Sequence, residues 1–159
     1  MGKEKITTLT ELIEKSKKWK NEGKKIVFAN GVFDILHVGH VRYLKSAKEE
    51  GDILIVGIND DKSARLLKGP PRPIFAEEER IFIVSSLSCV DHVFLYSGLD
   101  FSKPLKLLQP HIHAKGTDYQ EETVPEREVV LSYGGKIRIV GDPKKHSSSD
   151  LLEKLRSET

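Results

Sequence analysis

The sequence predicts an α/β fold in which five parallel strands form one sheet with helices on both faces. Short apolar runs alternate along the chain with segments of helical periodicity, and strands separated by helices imply right-handed crossovers and a parallel sheet. The runs KIVFA and DILIVGI are almost continuously apolar, as expected for strands that are covered on both faces. In such sheets the ligand lies beyond the carboxyl ends of the strands, so the residues after each strand are candidates for a site.

The first predicted element is a helix that precedes the sheet. In TLTELIEKSKKWKNEGKK, Thr8 and Glu11 have the spacing of a capping box, and the leucine, isoleucine and tryptophan side chains fall close to one helical face. Gly23 can end this helix. We therefore predict a single domain of 159 residues, with an N-terminal helix at 1–23 and a core at 24–159.

Strands and crossover helices then alternate to the end of the chain. The predicted strands are KIVFAN, DILIVGIN, DHVFLY, HIHA and KIRIV. The predicted helices are HVRYLKSAKEEG, Asp60 to Leu67, AEEERIFIVSSL, FSKPLKLL, VPEREVVLSYGG and SSSDLLEKLR. Proline in the first turn and glycine at the end support the fifth of these helices, and serine is a favourable cap for the sixth. The segment LLKGPPRPIFAEEER is expected to be a rigid, proline-rich loop over the site.

Composition and charge argue against several classes of protein. The formal net charge is +2, with acids and bases interspersed, which gives no general reason to expect a nucleic-acid partner. The sequence has no apolar stretch of about 18 residues and no leader pattern. The single cysteine, Cys89, lies in the run IFIVSSLSCV and is predicted to be a buried structural thiol in a reducing compartment. We therefore expect a soluble, cytoplasmic protein without a membrane partner.

The stretch NGVFDILHVGH joins the first strand to the first crossover helix. A helix N-terminus presents unpaired amides and the positive end of the dipole, so it attracts phosphate, and Gly39 would let a phosphate approach the backbone. His37 and His40 could then donate hydrogen bonds to one phosphoryl group from two sides. Two alternatives stay open: each histidine could be structural, or the pair could bind a metal with His111 and His113 as further ligands.

The same stretch resembles the G-x-F-D-x-x-H-x-G-H signature of the cytidylyltransferase-like nucleotidyltransferases. The segments RLLKGPPRPIFAEEERIFIVSSLSCVDHVFLY and AKGTDYQEETVPEREVVLSYGGKIRIV are similar to blocks of the D-glycero-β-D-manno-heptose 1-phosphate adenylyltransferases, and HSSSDLLEKL takes the place of their small-residue helix start. Together the matches run from about Lys24 to Leu155. The resemblance implies a Rossmann-like nucleotidyltransferase fold with a catalytic core at 24–159. It also implies transfer of AMP from ATP to a heptose-type sugar 1-phosphate, with release of pyrophosphate.

The resemblance further implies roles for individual residues. His37, His40 and Lys68 would be catalytic, holding the transferred phosphoryl group and the leaving group, although Lys68 could instead be a solvated surface lysine. The residues expected at the nucleotide are Asn30, Gly31, Val32, Phe33, Gly39, Lys115, Gly116, Asp118, Ser147, Ser148 and Ser149. Phe33 is also expected to pack beneath the loop, and simple helix capping is the alternative role for the serines.

Three residues are expected on the acceptor side of the site. Arg72 lies between prolines, which stiffen the loop that presents its guanidinium, and we assign it to the acceptor's phosphate. Arg80 is expected to contact phosphate or nucleotide, with an ion pair to Glu77 or Asp91 as the alternative. Asp34 is grouped with them, although its main expected role is to hold the loop by accepting backbone amides.

Cofactor and partners follow from the same resemblance. Mg²⁺ is expected to arrive on the nucleoside triphosphate and not in a protein site. The implied partners are ATP, a sugar 1-phosphate, a second copy of the chain in a homodimer, and a separate sugar kinase upstream. Three alternatives remain: a cytidylyltransferase using CTP on glycerol 3-phosphate, a pantetheine-phosphate or flavin-mononucleotide adenylyltransferase, against which the substrate-loop pattern argues, and a non-catalytic nucleotide-binding module. The stretch GDPKK followed by His146 lacks the Arg-Thr-Glu-Gly segment of the glycerol-3-phosphate cytidylyltransferases, which argues against CTP.

Overall fold

The computed structural model describes residues 2–142 and 148–158, and its strands form one five-stranded sheet. The strands are β1 (Ile26–Gly31), β2 (Ile53–Asn59), β3 (His92–Tyr96), β4 (Ile112–Lys115) and β5 (Lys136–Ile139). All four pairings are parallel, in the order β3-β2-β1-β4-β5. The predicted five-stranded parallel sheet is therefore confirmed.

Helices precede, connect and follow the strands. They are α1 (Leu9–Asn21), α2 (Val38–Glu49), α3 (Asp61–Lys68), α4 (Glu77–Ser85), α5 (Ser102–Leu108), α6 (Arg127–Ser132) and α7 (Ser148–Ser157). Every predicted helix is present, but α2 begins two residues earlier than predicted because His37 caps it. In the described part of the chain, none of the helices is both long and apolar enough to cross a membrane.

Side chains that alternate along the strands build a core on each face of the sheet. Val27 and Ala29 of β1 belong to one core, which is completed by apolar residues of α2 and α4. Ile26 and Phe28 belong to the other core, which is completed by residues of α1, α5 and α6. All seven positions of β2 are buried, as the unbroken apolar pattern of a two-sided strand requires. The prediction of helices on both faces is confirmed.

The N-terminal helix packs on one face of the sheet, against β1 and α5. Thr8 caps α1 by accepting from the N–H of Glu11 at 3.2 Å, while the Glu11 carboxylate accepts from the hydroxyl of Thr7. The predicted N-cap hydrogen bond is therefore present. The Glu11 carboxylate, which in a capping box would accept from the N–H of Thr8, accepts from the Thr7 hydroxyl instead. At the other end of α1, the ring of Trp19 stacks on that of His92 with 5.1 Å between centroids.

Cys89 follows α4 and packs against the first core as a half-buried side chain. Desolvation by burial raises the pKa of its thiol. The thiol therefore stays protonated at neutral pH, and a protonated thiol is a poor nucleophile. A structural role agrees with the prediction, although the side chain is less deeply buried than expected.

Candidate active site

A cavity of about 1160 Å³ opens at the carboxyl ends of the central strands. It slightly exceeds the usual range for small-molecule sites, so it has room for two substrates side by side. The predicted residues that line it are Asn30, Gly31, Val32, Phe33, Asp34, His37, Gly39, His40, Lys68, Arg72, Lys115, Gly116, Asp118 and Ser149. Segments that are far apart in the sequence thus meet where the strand-end rule places a ligand.

Of the three predicted serines, Ser149 is the one whose side chain the structure describes. Ser147 and the neighbouring His146 lie outside the described residues, and Ser148 begins α7. The Ser149 hydroxyl accepts from Nη1 of Arg72 at 3.3 Å. The start of the last helix therefore lies beside the proline-rich loop at the cavity.

His37 and His40 form the cap of α2. His37 is the N-cap residue, and its Nδ1 accepts from the N–H of Gly39 at 3.1 Å. Nδ1 of His40 accepts from the N–H of His37 at 3.2 Å. The two ring centroids are 4.1 Å apart. The pair is therefore a reciprocal capping box in which imidazoles replace the usual serine and glutamate side chains.

These hydrogen bonds determine which ring nitrogen carries the proton. A neutral imidazole has one N–H donor and one acceptor nitrogen, and backbone amides use Nδ1 of both rings as the acceptor. The proton of each neutral ring therefore resides on Nε2. Two Nε2–H donors held at the cavity wall suit the stabilisation of charge on a phosphoryl group.

The cap also uses amides that were expected to be unpaired at the start of α2. The N–H of Gly39 donates to Nδ1 of His37. The N–H of His40 donates to the carbonyl of His37 at 3.0 Å. The first turn thus uses these amides internally and contributes its dipole and the imidazole donors instead.

The other two histidines of the metal alternative have separate roles. Nδ1 of His111 accepts from the N–H of Ile26 at 3.0 Å, at the start of β1. His113 is fully buried, and its Nε2 lies 2.8 Å from Oδ1 of Asn30. Within residues 2–142 and 148–158, no group of three or more His, Cys, Asp or Glu side chains could hold a metal ion. The arrangement of the described histidines therefore gives the metal alternative no support.

The ring of Phe33 supports the histidine loop, which is the segment 32–37 between β1 and α2. Its backbone has a φ of +49°, in the left-handed region that bulky residues rarely adopt. The ring is buried, and its centroid is 5.6 Å from that of His40. A Cβ at Gly31 would lie 3.0 Å from the Phe33 ring, so a larger residue there would require the ring to shift. The predicted packing role of Phe33 is confirmed.

Asp34 organises the proline-rich loop between α3 and α4. Its carboxylate accepts from Nε of Arg72 at 2.6 Å and from the N–H groups of Ile74 and Phe75 at 2.8 to 3.0 Å. The side chain is fully buried, and that of Arg72 is 7% exposed. The loop-holding role is confirmed. Because three donors already occupy the carboxylate, the geometry assigns Asp34 to the loop and not to the substrate.

The same contacts give Asp34 a pH-dependent effect on stability. Burial alone raises the pKa of Asp34, but the hydrogen bonds from Phe75, Ile74 and Arg72, together with the Arg72 charge, lower it overall. A lowered folded-state pKa stabilises the fold above the unfolded pKa of about 3.9. This contribution is lost as the pH falls through the folded value.

We therefore expect Asp34→Asn to be less stable than the wild type at pH 7, by about 3 kcal/mol, because it leaves buried Arg72 without its charge partner. The difference in free energy of unfolding should shrink between about pH 5 and pH 3, as the wild-type carboxylate becomes protonated. Urea unfolding of both proteins at several pH values measures this. Other carboxylates titrate in both proteins, so their effects cancel in the difference.

Asp142→Asn is the matched control. Asp142 pairs with Arg42 at 3.1 Å, and both side chains are more than half exposed. An exposed pair contributes about 0 to 1 kcal/mol, so this variant should differ little from wild type at any pH. A deficit of Asp34→Asn that stayed constant from pH 7 down to pH 3 would show that the fold does not lower the pKa of Asp34.

Arg80 does not line the cavity, and the predicted contact with substrate is contradicted by its burial. Its side chain is fully buried. Its acceptors, at 2.8 to 3.0 Å, are the carbonyls of Val32, Asn59 and Phe75 and the carboxylate of Asp61. The alternative partners differ as well, because Glu77 accepts from the N–H of Asp61 and Asp91 pairs with Lys48. Arg80 therefore ties the ends of β1 and β2 to α3 and α4.

Two lysines bring positive charge to the cavity in different ways. Lys115 is buried at the end of β4, with its ammonium 4.3 Å from the centre of the Tyr119 ring. Desolvation lowers its pKa, against the opposing effects of Glu126 and Asp118. Lys68 is exposed and is the last residue of α3, where the sequence had placed it on a loop. One cation is thus fixed in the wall, and the other is carried on a solvated side chain at its edge.

Several residues that line the cavity were not predicted. They include Tyr43, Asn59, Asp100, Phe101, Tyr119 and Glu126. Asn59 is the last residue of β2, so the strand-end rule could have found it. Glu126 is 3% exposed and accepts from the N–H of Phe101 at 3.0 Å. No local sequence pattern marks Glu126 or Phe101, because they reach the cavity through the packing of α5 against α6.

Comparison with known proteins agrees with this geometry. The cytidylyltransferase-like family matches residues 28–153. Among curated proteins, the chain is 46% identical to bifunctional protein HldE of Geotalea uraniireducens (strain Rf4) over 156 residues, which cover 96% of this chain and 31% of that protein. HldE of Methylobacillus flagellatus is 39% identical over 157 residues, covering 97% and 32%. The chain thus spans about a third of the length of these curated relatives.

Two solved structures share the fold. The lipopolysaccharide core biosynthesis protein from Thermoplasma volcanium GSS1 has a TM-score of 0.63 and 35% identity, over 76% of this chain and all of that chain. Pantoate-beta-alanine ligase from Francisella tularensis has a TM-score of 0.59 over 91% of this chain and 68% of that chain. Its 19% identity supports the fold alone. The predicted nucleotidyltransferase-type fold is confirmed, and the extent of the family match shows that this chain belongs to the cytidylyltransferase-like family.

Proposed function

We propose that this chain is an adenylyltransferase that transfers AMP from ATP to a heptose-type sugar 1-phosphate. The observation that carries the proposal is the imidazole pair of His37 and His40, whose Nδ1 atoms are held by backbone amides at the cavity wall. Family membership supports a nucleotidyl transfer. The similarity to HldE and to a lipopolysaccharide core biosynthesis protein supports a sugar phosphate as the acceptor.

In the proposed reaction, an oxygen of the acceptor's phosphate attacks the α-phosphorus of ATP in line, and pyrophosphate leaves. The new bond joins this oxygen to the α-phosphorus, and the bond to the bridging oxygen of the β-phosphate breaks. The attacking phosphate is ionised at neutral pH, so neither a general base nor a covalent enzyme intermediate is needed. Catalysis then consists of positioning and charge stabilisation.

The chain's own donors fit these tasks. Nε2–H of His37 and of His40 would donate to the transferred phosphoryl group and the leaving group, where negative charge builds up. Lys68, at the end of α3, would follow the pyrophosphate as a mobile cation. Mg²⁺ would come with the triphosphate and neutralise part of its charge.

The acceptor's phosphate is proposed to bind at Arg72. Its guanidinium is held by Asp34 through Nε at 2.6 Å and directs Nη1 to Ser149 at 3.3 Å. A guanidinium that is fixed on one side loses little further entropy when it binds a phosphate on the other. Nucleotide contacts are assigned to Asn30, the Gly31 to Phe33 segment, and the strand end at Lys115, Gly116 and Asp118.

The relatives' names describe bifunctional proteins, of which this chain spans about a third. We therefore keep the sugar kinase as a proposed partner, because the sugar 1-phosphate must come from a phosphoryl-transfer reaction. A homodimer is proposed on family resemblance alone. Sedimentation equilibrium tests it.

A panel of sugar phosphates with ATP and with CTP, followed by pyrophosphate release, tests the proposal. We expect turnover with ATP and a heptose 1-phosphate, and at least about a hundredfold lower kcat/KM with CTP, because a site that pairs with one base leaves buried groups unpaired with another. Turnover of CTP with glycerol 3-phosphate would instead establish a cytidylyltransferase. Absence of turnover with every pair would leave a nucleotide-binding module.

A further inference from the structure

We propose that His113 is a positioning residue that fixes the side-chain amide of Asn30, so that the amide presents its two N–H groups to a phosphate or hydroxyl oxygen of the bound substrate. The inference rests on the proposed function for its substrate. The geometry of the pair itself does not depend on that function.

His113 lies in the middle of β4, in register with Phe28 of β1. Its side chain is fully buried, and its ring centroid is 5.7 Å from that of Phe28. Nε2 lies 2.8 Å from Oδ1 of Asn30, two residues further along β1. The histidine therefore reaches along the neighbouring strand, toward the carboxyl end where Asn30 lines the cavity.

The other ring nitrogen of His113 makes the direction of this hydrogen bond clear. Nδ1 is buried, and no hydrogen-bond partner for it lies among the described residues. An unpaired buried N–H is rarer and more costly than an unpaired acceptor, so the proton resides on Nε2 and Nδ1 is the acceptor left without a partner. Burial and the nearby charge of Lys115 lower the pKa of His113 to about 3. The ring is therefore neutral at every pH at which the protein would work.

An Nε2–H donor fixes the orientation of the amide on Asn30. The oxygen of the amide accepts from His113, so its NH₂ group is turned away from the ring. Asn30 lines the cavity and is the penultimate residue of β1, directly before Gly31 and the histidine loop. Its two donors are thus set for an acceptor oxygen of the ligand.

The surroundings of His113 argue against a purely structural role. Phe28, a member of the second core, is one of its neighbours. Ile112 precedes His113 in the chain and Ala114 follows it. All three of these residues are buried. An apolar side chain would pack at this position without leaving a polar nitrogen unpaired. The hydrogen bond to Asn30 is the contact that such a replacement would lose.

Kinetics of four variants test the proposal. We expect His113→Leu to lower kcat/KM about tenfold, the usual effect of one lost hydrogen bond, with most of the change in the KM of one substrate. His113→Gln keeps an N–H donor near the position of Nε2 and should recover most of this loss. Asn30→Ala should show a loss at least as large. In Asn30→Ala, adding His113→Leu should change kcat/KM by less than about twofold, because the two act as one unit.

Thermal unfolding and a matched histidine separate positioning from folding. His113→Leu should unfold at the same temperature as wild type or higher, although it is less active. His92→Leu is the control: His92 begins β3 at the opposite edge of the sheet, stacks on Trp19 and does not line the cavity. It should retain wild-type KM values. Unchanged kinetics in His113→Leu, or losses that add fully in the double variant, would overturn the proposal.

A readout independent of turnover completes the test. Long-range ¹H–¹⁵N NMR of the histidine rings should show His113 as the neutral Nε2–H tautomer from pH 8 to pH 5. A protonated ring, or a proton on Nδ1, would overturn the pairing itself. If the pairing is seen but no substrate pair is turned over, the proposed function fails and the geometry of the pair stands.

Discussion

Replacing His40 with asparagine is expected to lower kcat by about 10²- to 10³-fold, the usual effect of removing one preorganised donor to developing charge. In the wild type, Nδ1 of His40 accepts from the N–H of His37 at 3.2 Å. The side-chain oxygen of asparagine can take the place of this Nδ1 and accept the same hydrogen bond. The cap of α2 should survive, while the Nε2–H donor is lost. Pyrophosphate release at saturating substrate measures the change.

His37→Asn is the companion variant at the N-cap. Asparagine is among the best N-cap residues, so it should preserve or improve the hydrogen bond to Gly39 that His37 now accepts. A similar fall in kcat with unchanged thermal stability would show that both imidazoles act through Nε2. His40→Ala removes the cap and the donor together, and comparing it with His40→Asn separates the two contributions.

Unchanged pyrophosphate release in His40→Ala and in His40→Asn would contradict the catalytic assignment. The pair would then be a capping device only, which is the structural alternative that the sequence left open. A loss that appears in His40→Ala but not in His40→Asn would mean that the helix cap matters and that the outer nitrogen does not.

Much of the fold followed from local patterns because strand and helix periodicities are local. The alternation of apolar runs with helical segments predicted all five strands, and the loop chemistry placed His37 and His40 at a helix start. The two extra residues at the start of α2 were not predicted because an imidazole is an unusual N-cap. The pattern rules expect Ser, Thr, Asp or Asn there.

The roles of charged residues were harder to predict than their presence. Asp34 and Arg72 are 38 residues apart in the sequence, and their pairing depends on how the loop before α4 folds over β1. Arg80 is the clearest case. A motif arginine near a phosphate site suggests a ligand contact, and only the packed structure shows that the carbonyls of Val32 and Asn59 already accept from it.

Arg80→Met is expected to reduce the free energy of unfolding by about 4 kcal/mol. The variant leaves the carbonyls of Val32 and Asn59, which now accept at 2.8 Å, without their donor, and each buried unpaired group costs about 1 to 3 kcal/mol. A domain is stable by only about 5 to 15 kcal/mol. A marked fall in the midpoint of urea unfolding should therefore result.

Arg138→Met is the matched surface control. Arg138 pairs with Glu50 at 3.5 Å and is about half exposed (47%), so its loss should cost less than about 1 kcal/mol. Arg80→Lys keeps the charge but not the planar fork that reaches several acceptors at once. Its stability should fall between those of wild type and Arg80→Met.

The kinetics of Arg80→Lys decide between scaffold and ligand contact. If Arg80 only ties β1 and β2 to the adjoining helices, its replacement removes no contact with the substrate. The folded fraction of Arg80→Lys should then keep KM values within about threefold of wild type below its unfolding temperature. A contact with phosphate predicts the opposite: nearly normal stability with a KM raised tenfold or more, since Lys cannot replace a bidentate guanidinium. The buried position of Arg80, with four acceptors around one guanidinium, favours the first outcome. Any effect of Arg80→Lys on catalysis should then be indirect. It would arise from disturbance of the strand ends, which position Asn30 and the histidine loop.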